Sequence, residues 1–240
     1  MDLKVSVITT LYNYREYIGE CIESFLNQDF EYSEMVIIDD ASTDKPFEII
    51  QKYLSDRVRY IALPKNRNYS NAKNIGIKAS KSEVLVMLDA DDMLTTTGIS
   101  LRYEKLMEGF DFVHGPCLRL ERGSARRDPM WEKWLNTKNP LWIHAQGAML
   151  RKDIHRKIGL YDPWFWAQGD REMFLRIGNA GFKIGDVEKD VAIYRIHKEQ
   201  MYKSLRKRKH KERLNARMFK VLEERKNGDF SNLEMLGSIV

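Results

Sequence analysis

Three aspartates directly after an apolar run are the residues of this chain best suited to chemistry. Residues Val84 to Leu88 are all apolar, and Asp89, Asp91 and Asp92 follow them. Such a run is typical of a central parallel strand, so the carboxylates must lie at its solvent end or hold a cation. Residues two apart on an extended chain point the same way, so Asp89 and Asp91 can converge on one point. Carboxylate oxygens suit Mg²⁺ or Mn²⁺, which usually also bind substrate phosphates.

The simplest alternative is a solvated loop in which Asp92 caps the next helix. Other polar residues, however, also follow strand patterns. Thr9 and Thr10 end the first predicted strand, and Asp39 and Asp40 end the second. Because ligands of parallel sheets collect beyond the carboxyl ends of the strands, we expect these residues to share one site with the aspartates.

The elements that position these residues alternate between strand and helix in the first half of the chain. This rhythm is typical of an α/β fold with a parallel sheet covered on both faces. The predicted strands cover 5–10, 35–38, 58–62 and 84–88, and the predicted helices cover 17–27, 47–54 and 71–78. The less regular second half has predicted helices at 98–107 and 172–179, strands at 112–120 and twice within 183–194, and a basic loop at 123–129. Leu214, Met218, Val221 and Leu222 predict a late amphipathic helix.

Composition indicates a globular protein with a substantial core, since 43% of the 240 residues are hydrophobic. The formal net charge of +5 is compatible with anionic substrates but does not by itself indicate nucleic acid. Cys21 and Cys117 have no disulfide or metal-ligand spacing, which fits a reducing compartment. The sequence shows no signal-peptide or membrane-spanning pattern, so we expect a cytoplasmic protein that is at most peripheral to a membrane.

Four segments resemble, in order, the sequence blocks of inverting glycosyltransferases of family 2. They read VSVITTLYN at 5–13, IIDDASTD at 37–44, AKNIG leading to LDADD at 72–92, and GD at 169–170 followed by YRIH at 194–197. The resemblance spans residues 3–200. It implies the GT-A fold, a Rossmann-like, mostly parallel central sheet with helices on both faces, an acceptor-side subdomain and a C-terminal helical tail. It divides the chain into a nucleotide-sugar-binding half (1–97), an acceptor-binding and catalytic half of the same domain (98–200) and a basic helical tail (201–240).

The resemblance implies a nucleotide-sugar donor and a divalent metal, Mn²⁺ or Mg²⁺, that neutralises the departing diphosphate. It makes Asp91 our first choice as a metal ligand. Asp89 is expected to reach the donor ribose or a metal-bound water. His197 is similar to a late histidine that binds the metal or the diphosphate in many relatives, and a lone surface histidine is the alternative.

Four further residues match nucleotide-binding positions of the family. Asp40 is similar to its base-reading aspartate, and a carboxylate that accepts the N3–H of uracil favours UDP over GDP while leaving dTDP open. Thr10 and Tyr12 lie where the family wraps the nucleotide, although core packing is the alternative for Tyr12. Lys73 stands where the family usually has arginine, and it offers nucleotide or phosphate a charge without a planar fork. A tight turn is the alternative for Asp39 and Asp40.

Asp170 matches the catalytic base, which takes the proton of the acceptor hydroxyl as the new bond forms. A helix N-cap is the alternative for this residue. Gly169 stands where the family often has glutamate, which removes a carboxylate from the acceptor side. Of the five tryptophans, Trp164 and Trp166 are expected to line the acceptor site, because indole faces suit the C–H-rich faces of sugars.

These expectations describe a metal-dependent inverting glycosyltransferase that moves a sugar, from a UDP-linked donor, to a hydroxyl of a glycan or lipid-linked glycan. One alternative is a sugar-nucleotide nucleotidyltransferase, which usually carries a Gly-rich loop after its first strand; this sequence has LYNYR there. Another is a catalytically silent module that binds glycans or polyanions on the same fold. The basic run at 203–213 is interpreted first as a solvated helix face, then as a contact with anionic lipid, and last as a contact with a modified nucleic-acid acceptor.

Overall fold

The computed structural model describes residues 3–201, 208–225, 230 and 233–236. Its strands are β1 (Val5–Leu11), β2 (Ser33–Asp39), β3 (Val58–Ala62), β4 (Val84–Asp89), β5 (Met93–Leu94), β6 (Phe112–His114), β7 (Cys117–Glu121), β8 (Ser124–Arg127), β9 (Met149–Arg151), β10 (Ile184–Asp186) and β11 (Ala192–Ile196). Its α-helices are α1 (Arg15–Leu26), α2 (Phe47–Ile50), α3 (Tyr69–Ala79), α4 (Gly98–Met107), α5 (Met130–Thr137), α6 (Asp153–Ile158), α7 (Gly169–Asn179) and α8 (Arg208–Arg225). Short 3₁₀ turns cover Gln51–Tyr53, Pro140–Trp142 and Ala145–Gly147.

The main sheet contains seven strands within the described residues, in the order β10-β6-β9-β4-β1-β2-β3. β4 lies at its centre, and β1 pairs in parallel with both β4 and β2, while β3 continues in parallel beyond β2. β9 runs antiparallel between β4 and β6. The predicted mostly parallel sheet is therefore confirmed, and a strand from the second half of the chain adjoins the strand that ends in Asp89.

Helices cover both faces of the main sheet because alternate residues of its central strands point to opposite sides. Val7 of β1 packs in one apolar cluster with Phe25 of α1. Ile8, the next residue, packs in a second cluster with Ile77 of α3 and Phe174 of α7. The sheet is thus buried on both faces, and polar side chains collect at the carboxyl ends of its strands.

The single strand predicted at 112–120 is wrong, because the chain forms two strands that belong to different sheets. β6 joins the main sheet, whereas β7 joins a smaller sheet with the order β5-β11-β7-β8 in the described part of the chain. Gly115 and Pro116 separate the two strands, and proline has no N–H to donate to a ladder. The smaller sheet brings β11, which precedes His197, against β5, which follows Asp92.

The basic loop predicted at 123–129 is also wrong in part, since β8 pairs antiparallel with β7. Its hairpin turn uses Arg122 and Gly123, which have φ angles of 51° and 79°. The side chains of β8 are exposed along its whole length, so the strand lacked an alternating apolar pattern that would predict it. The helix predicted at 47–54 divides into α2 and a 3₁₀ turn, and the one predicted at 172–179 begins earlier, at Gly169.

The predicted late amphipathic helix is confirmed as α8, in which Leu214, Met218, Val221 and Leu222 are buried. Leu214, Met218 and Leu222 pack against Phe165, in the segment that precedes α7. Residues 203–207 of the predicted basic surface at 203–213 lie outside the described residues. Within the described ranges, no helix combines the length and the hydropathy that crossing a bilayer requires.

Candidate active site

A cavity of about 790 Å³ opens at the carboxyl ends of the central strands. Seven of the residues predicted from the sequence line it: Thr10, Tyr12, Asp40, Asp89, Asp91, Trp166 and Asp170. The strands supply five of these seven from β1, β2, β4 and the residues directly after them, as expected for a parallel sheet. Lys73, His197 and Trp164 do not line the cavity itself. The fold therefore gathers residues that are up to 160 positions apart around one space.

Asp89 ends β4 and is surrounded by polar side chains. Its Oδ2 atom accepts a hydrogen bond of 2.9 Å from Gln146 Nε2, and the Tyr69 hydroxyl oxygen lies 3.4 Å from the same atom. Thr10 Oγ1 lies 3.5 Å from Oδ1. Burial raises the pKa of Asp89 to about 6, and the nearby charges of Asp170 and Asp91 add to this rise while Lys73 opposes it. No pattern in the sequence pointed to Gln146, which lies on a 3₁₀ turn far along the chain.

Asp91 and His197, the two predicted metal ligands, are in direct contact. Asp91 Oδ2 lies 2.9 Å from His197 Nε2, and Glu199 Oε2 lies 3.1 Å from the other ring nitrogen. Burial alone would lower the pKa of His197, but hydrogen bonds to the two carboxylates raise it. The imidazole packs against Tyr17, with a centroid distance of 4.4 Å, so it is held in the site rather than free on the surface.

The donor set of Asp91 and His197 fits one divalent cation whose remaining positions are filled from elsewhere. A carboxylate oxygen and an imidazole nitrogen are both ligands for Mn²⁺. Among the described residues, no group of three or more His, Cys, Asp or Glu side chains could hold a metal by itself. One or two protein ligands and substrate phosphates can share such an ion with water.

Asp92 joins the aspartate turn to the smaller sheet. Its Oδ1 atom accepts a hydrogen bond of 2.8 Å from the backbone N–H of Arg195 in β11. The Arg195 guanidinium donates to the carbonyl oxygen of Asp91 at 3.1 Å and pairs with Glu20 at 2.5 Å. Burial and the adjacent aspartates raise the pKa of Asp92 well above its usual range. These bonds fix the position of the turn relative to His197.

Asp40 and Tyr12 line the cavity directly after β2 and β1. Asp40 Oδ1 accepts a hydrogen bond of 2.7 Å from the backbone N–H of Arg67, and burial raises the pKa of this carboxyl. Tyr12 is 46% exposed, so it is not a core residue. The turn predicted as the alternative is what Asp39 forms: its carboxylate accepts bonds from the Ser42 N–H and the Tyr60 hydroxyl.

Asp170 lies in the first turn of α7, and both of its carboxylate oxygens have partners in α3. Oδ1 accepts a bond of 2.8 Å from Lys73 Nζ, and Oδ2 accepts one of 2.5 Å from the Tyr69 hydroxyl. The N-cap position of α7 is Gln168, whose side chain makes no capping bond. The Asp170 carboxylate is therefore aimed at α3 and the cavity, and the N-cap interpretation of this residue is not what the structure shows.

Lys73 lies between the two acidic groups and not on the cavity wall. Its side chain is fully buried, with Nζ 2.8 Å from Asp170 Oδ1 and 3.7 Å from Asp89 Oδ1. It also lies 4.3 Å from the centre of the Tyr69 ring. Tyr69 was not predicted as a site residue, although its spacing of four residues from Lys73 places both side chains on one face of a helix. Burial and Asp170 raise the pKa of the Tyr69 phenol, which keeps it a hydrogen-bond donor.

The glycine before Asp170 has a steric cause. A Cβ atom at Gly169 would lie 2.6 Å from Ser70 Oγ, which itself bonds to the carbonyl oxygen of Phe165 at 2.5 Å. The start of α7 thus packs directly on α3, and this contact brings Asp170 within reach of Tyr69 and Lys73.

The two tryptophans predicted for the acceptor side differ in position. Trp166 lines the cavity and is 37% exposed. Trp164 is 39% exposed but lies outside the cavity, with the Arg217 guanidinium of α8 5.7 Å from its ring. Trp131 and Trp134 are core residues, as expected for most of the five.

Comparison with known proteins identifies the family. The model of glycosyl transferase family 2 matches residues 6–165. An uncharacterised glycosyltransferase of Nostoc, alr2836, is 30% identical over 81% of this chain and 65% of its own length. The chain belongs to glycosyl transferase family 2. A further relative of this family 2 chain is a glucosyltransferase of Campylobacter jejuni that is named for an undecaprenol-linked acceptor. It is 31% identical over 52% of this chain and 41% of its own length. The chain spans about a third to two thirds of the lengths of the first relatives it matches.

Solved structures of other glycosyltransferases share the fold of this family 2 chain. Residues 1–349 of S. aureus TarS in complex with UDP-GlcNAc give a TM-score of 0.70 at 20% identity, over 82% of this chain and 60% of that one. The Pyrobaculum calidifontis mannosyltransferase PcManGT, in complex with GDP-Man and Mn²⁺, gives 0.73 at 18% identity, over 90% and 64%. The predicted GT-A fold is confirmed by these similarities.

The family 2 site combines groups suited to two chemical tasks. Asp40, Asp89 and Asp91 at the strand ends present carboxylate oxygens, which suit a hard divalent cation and the hydrogen-bond donors of a ligand. Asp170, held from α3, presents a carboxylate that can accept a proton. Both sets line one cavity, which is the arrangement that a displacement between two bound substrates requires.

Proposed function

We propose that this chain catalyses metal-dependent transfer of a sugar from a UDP-linked donor to an acceptor hydroxyl, with inversion at the anomeric carbon. The observation that supports the proposal best is the position of Asp170. It lines the same cavity as the strand-end aspartates, although it lies about 80 to 130 residues beyond them in the chain. A binding module would not need a carboxylate held at this point by a buried lysine and a tyrosine.

The donor would lie along the strand ends. Asp40 would accept the N3–H of uracil, Tyr12 would stack on the base, and Thr10 and Asp89 would contact the ribose. Support for a UDP-linked donor comes from this acidic base site and from the fold shared with a protein solved with UDP-GlcNAc. The fold alone does not select the base, because the second structural relative was solved with GDP-Man.

Asp91 and His197 would hold the cation, Mn²⁺ or Mg²⁺. When bound, the ion would neutralise negative charge on the diphosphate leaving group. The protein's own contribution is to fix the ligands: Asp92 and Arg195 hold the Asp91 turn, and Glu199 holds the imidazole from its other nitrogen. An outer partner of this kind sets the orientation of a metal-binding histidine.

Asp170 would act as general base in a direct displacement. The acceptor oxygen forms a bond to the anomeric carbon, the bond from that carbon to the diphosphate oxygen breaks, and its electron pair leaves with the diphosphate. The acceptor's proton passes to the Asp170 carboxylate. Lys73 and Tyr69 hold this carboxylate and so set where the proton is received.

The acceptor would be a glycan or a lipid-linked glycan that enters on the side of Trp166. An exposed indole lining the cavity suits the apolar face of a sugar ring. A relative named for an undecaprenol-linked acceptor supports this class. A peripheral contact of the basic run at 203–213 with anionic lipid would suit a lipid-linked acceptor.

The test is a panel of UDP-, dTDP- and GDP-sugars incubated with the chain and Mn²⁺, with and without simple glycan acceptors. We expect release of UDP from a UDP-sugar, dependent on Mn²⁺ and lost in the Asp170→Asn variant. Pyrophosphate release from UTP and a sugar 1-phosphate would instead indicate a nucleotidyltransferase. Glycan binding without release of any nucleoside diphosphate would indicate a silent binding module.

A further inference from the structure

The C-terminal helix α8 is joined to the catalytic helix α7 by a buried network of four charges. Arg225, in the last turn of α8, donates to Glu172 Oε1 at 2.7 Å and to Asp162 Oδ2 at 2.8 Å. Arg176 donates to both oxygens of Glu172, at 3.0 Å and 2.7 Å. All four side chains are buried, with Glu172 fully so. Two positive and two negative charges balance one another in this space.

Each carboxylate of the network belongs to a segment that carries a candidate active-site residue. Glu172 lies two residues after Asp170 on α7. Asp162 opens the segment that carries both exposed tryptophans, and its Oδ1 atom accepts the backbone N–H of Trp164 at 2.9 Å. A single guanidinium, that of Arg225, therefore ties the start of α7 to the tryptophan segment, which we define as residues 162–168.

A second, apolar contact supports the same connection. Phe165 and Ala167 of the tryptophan segment are buried against Leu214, Met218 and Leu222 of α8. The carbonyl oxygen of Phe165 accepts the Ser70 hydroxyl of α3 at 2.5 Å. The tryptophan segment is thus held between α3, which carries Tyr69 and Lys73, and α8.

We infer that Arg225 is a positioning residue for the acceptor side of the site: it fixes the tryptophan segment and the first turn of α7, and through them Asp170 and Trp166. The inference rests on the proposed function for the role of Asp170. Arginine is required because its planar fork can donate to two carboxylates at once, whereas a lysine ammonium is a point charge. The helix predicted as a tail is then part of the catalytic half of the domain.

Loss of the fork would leave two buried carboxylates with one cation between them. Such an uncompensated charge draws in water or forces its segment to move. A displacement of about 1 Å at a reacting group can lower a rate roughly 100-fold without any change in the group itself. The nucleotide side should not respond, because β1, β2 and β4 build it, whereas Arg225 bonds to Asp162 and Glu172.

The test compares the full-length wild type with Arg225→Met and Arg225→Lys by hydrogen–deuterium exchange and by activity. Arg156→Met is the matched control, because Arg156 also makes a two-bond pair, with Glu83 at the opposite ends of the strands. For Arg225→Met we expect faster hydrogen–deuterium exchange in 162–172 and unchanged exchange in β1 and β4. For the control Arg156→Met we expect wild-type exchange in 162–172. The affinity of Arg225→Met for UDP with Mn²⁺, measured by calorimetry, should stay within about twofold of the wild-type value. Its rate of UDP release should fall roughly 10- to 100-fold. The substrate for this rate is UDP-GlcNAc, or whichever sugar nucleotide of the panel the wild type uses.

Arg225→Lys should give an intermediate result, with exchange raised in 162–168 and a smaller loss of rate. If Arg225→Met does not fold, Arg225→Lys and Asp162→Asn replace it as the test variants for exchange and activity. Exchange in 162–172 equal to that of the wild type, or raised to the same degree throughout the chain, would overturn the inference. Failure of the proposed function has a different signature, because the wild type would then release no nucleoside diphosphate, and the exchange data would still decide whether Arg225 positions these segments.

Discussion

Lys73 Nζ lies 2.8 Å from Asp170 Oδ1, so the proposed base is bonded to a residue that the sequence predicts as a nucleotide contact. The same ammonium is 3.7 Å from Asp89, on the strand that ends at the proposed metal turn. Tyr69 bridges the same two carboxylates through its hydroxyl. One helix, α3, therefore sets the distance between Asp89 and Asp170.

Replacing Lys73 with methionine should destabilise the fold and slow transfer. The variant removes a fully buried cation and leaves Asp89 and Asp170 facing each other without compensation, at a cost of about 3 kcal/mol in the free energy of unfolding. Tyr69→Phe loses hydrogen bonds but no charge and should cost about 1 kcal/mol. Urea unfolding at neutral pH measures both. Equal stability of Lys73→Met and the wild type would contradict the buried pair.

Asp170→Asn should abolish transfer and leave donor binding nearly intact. Asparagine keeps the size of the side chain but cannot take the acceptor proton, and general-base catalysis contributes roughly 10² to 10⁴ in rate. Initial rates of UDP release and calorimetric titration with UDP and Mn²⁺ measure the two properties on the same preparation. A mutant with wild-type turnover would show that another group accepts the proton.

Asp91→Ala should weaken Mn²⁺-dependent binding of UDP by at least about tenfold, since even outer partners of a metal site contribute that much. Binding measured in the presence of EDTA should be the same for variant and wild type. Asp153→Ala, an exposed acid paired with Lys157 on α6, is the control and should change neither value. Unchanged affinity of the Asp91 variant with Mn²⁺ present would remove this residue from the metal site.

Gly169→Ala should destabilise the protein, because its Cβ would lie 2.6 Å from Ser70 Oγ. Overpacking of this kind typically costs about 1–3 kcal/mol. Ser70→Ala removes the colliding oxygen together with its bond to Phe165. The double variant should therefore lose less free energy of unfolding than the sum of the losses of the two single variants. A double-mutant cycle measured by urea unfolding tests this expectation. Strict additivity would show that the two helices do not meet at this point.

Each of two imidazoles that are buried in their neutral form should contribute a loss of stability as the pH drops below about 6.5. Burial lowers the pKa of His155 and of His114 to about 3. Charges from Lys152 and Arg176 add to the effect at His155, whereas Asp186 opposes it at His114. Because the unfolded state binds protons that the folded state does not, each histidine should remove about 3 kcal/mol between pH 7.5 and 4.5.

The control for this pH dependence is His155→Asn, whose amide can still donate to the Gly159 carbonyl that faces His155 Nδ1 at 3.3 Å. The raised pKa values of Asp89 and Asp92 oppose this loss, so the test is a comparison of the two proteins. Urea unfolding at several pH values should show that acidification from pH 7.5 to 4.5 removes about 3 kcal/mol less from the variant than from the wild type. An identical slope would mean that His155 does not contribute to the acid sensitivity.

Elements whose patterns are local can be predicted from the amino-acid sequence. The apolar runs of β1 to β4 and the helical spacing between them specify a parallel sheet, and a parallel sheet gathers strand-end residues, so Thr10, Asp40, Asp89 and Asp91 share a cavity. The short strands of the second half are harder to predict from the sequence. β8 has no buried face, and β6 and β7 form one continuous apolar pattern that is divided only by Gly115 and Pro116.

Tertiary structure alone decided which side chains from distant segments meet. These contacts depend on packing between elements that are about 50 to 100 residues apart. They include the bonds of Lys73 and Tyr69 to Asp170, the bond of Gln146 to Asp89, and the contact of α8 with α7 through Arg225. Side-chain periodicity shows which face of a helix is buried but not which partner buries it. Hydrogen bonds and ion pairs across such interfaces are fixed only once the helices are docked, because their strength depends on distances of a few ångströms.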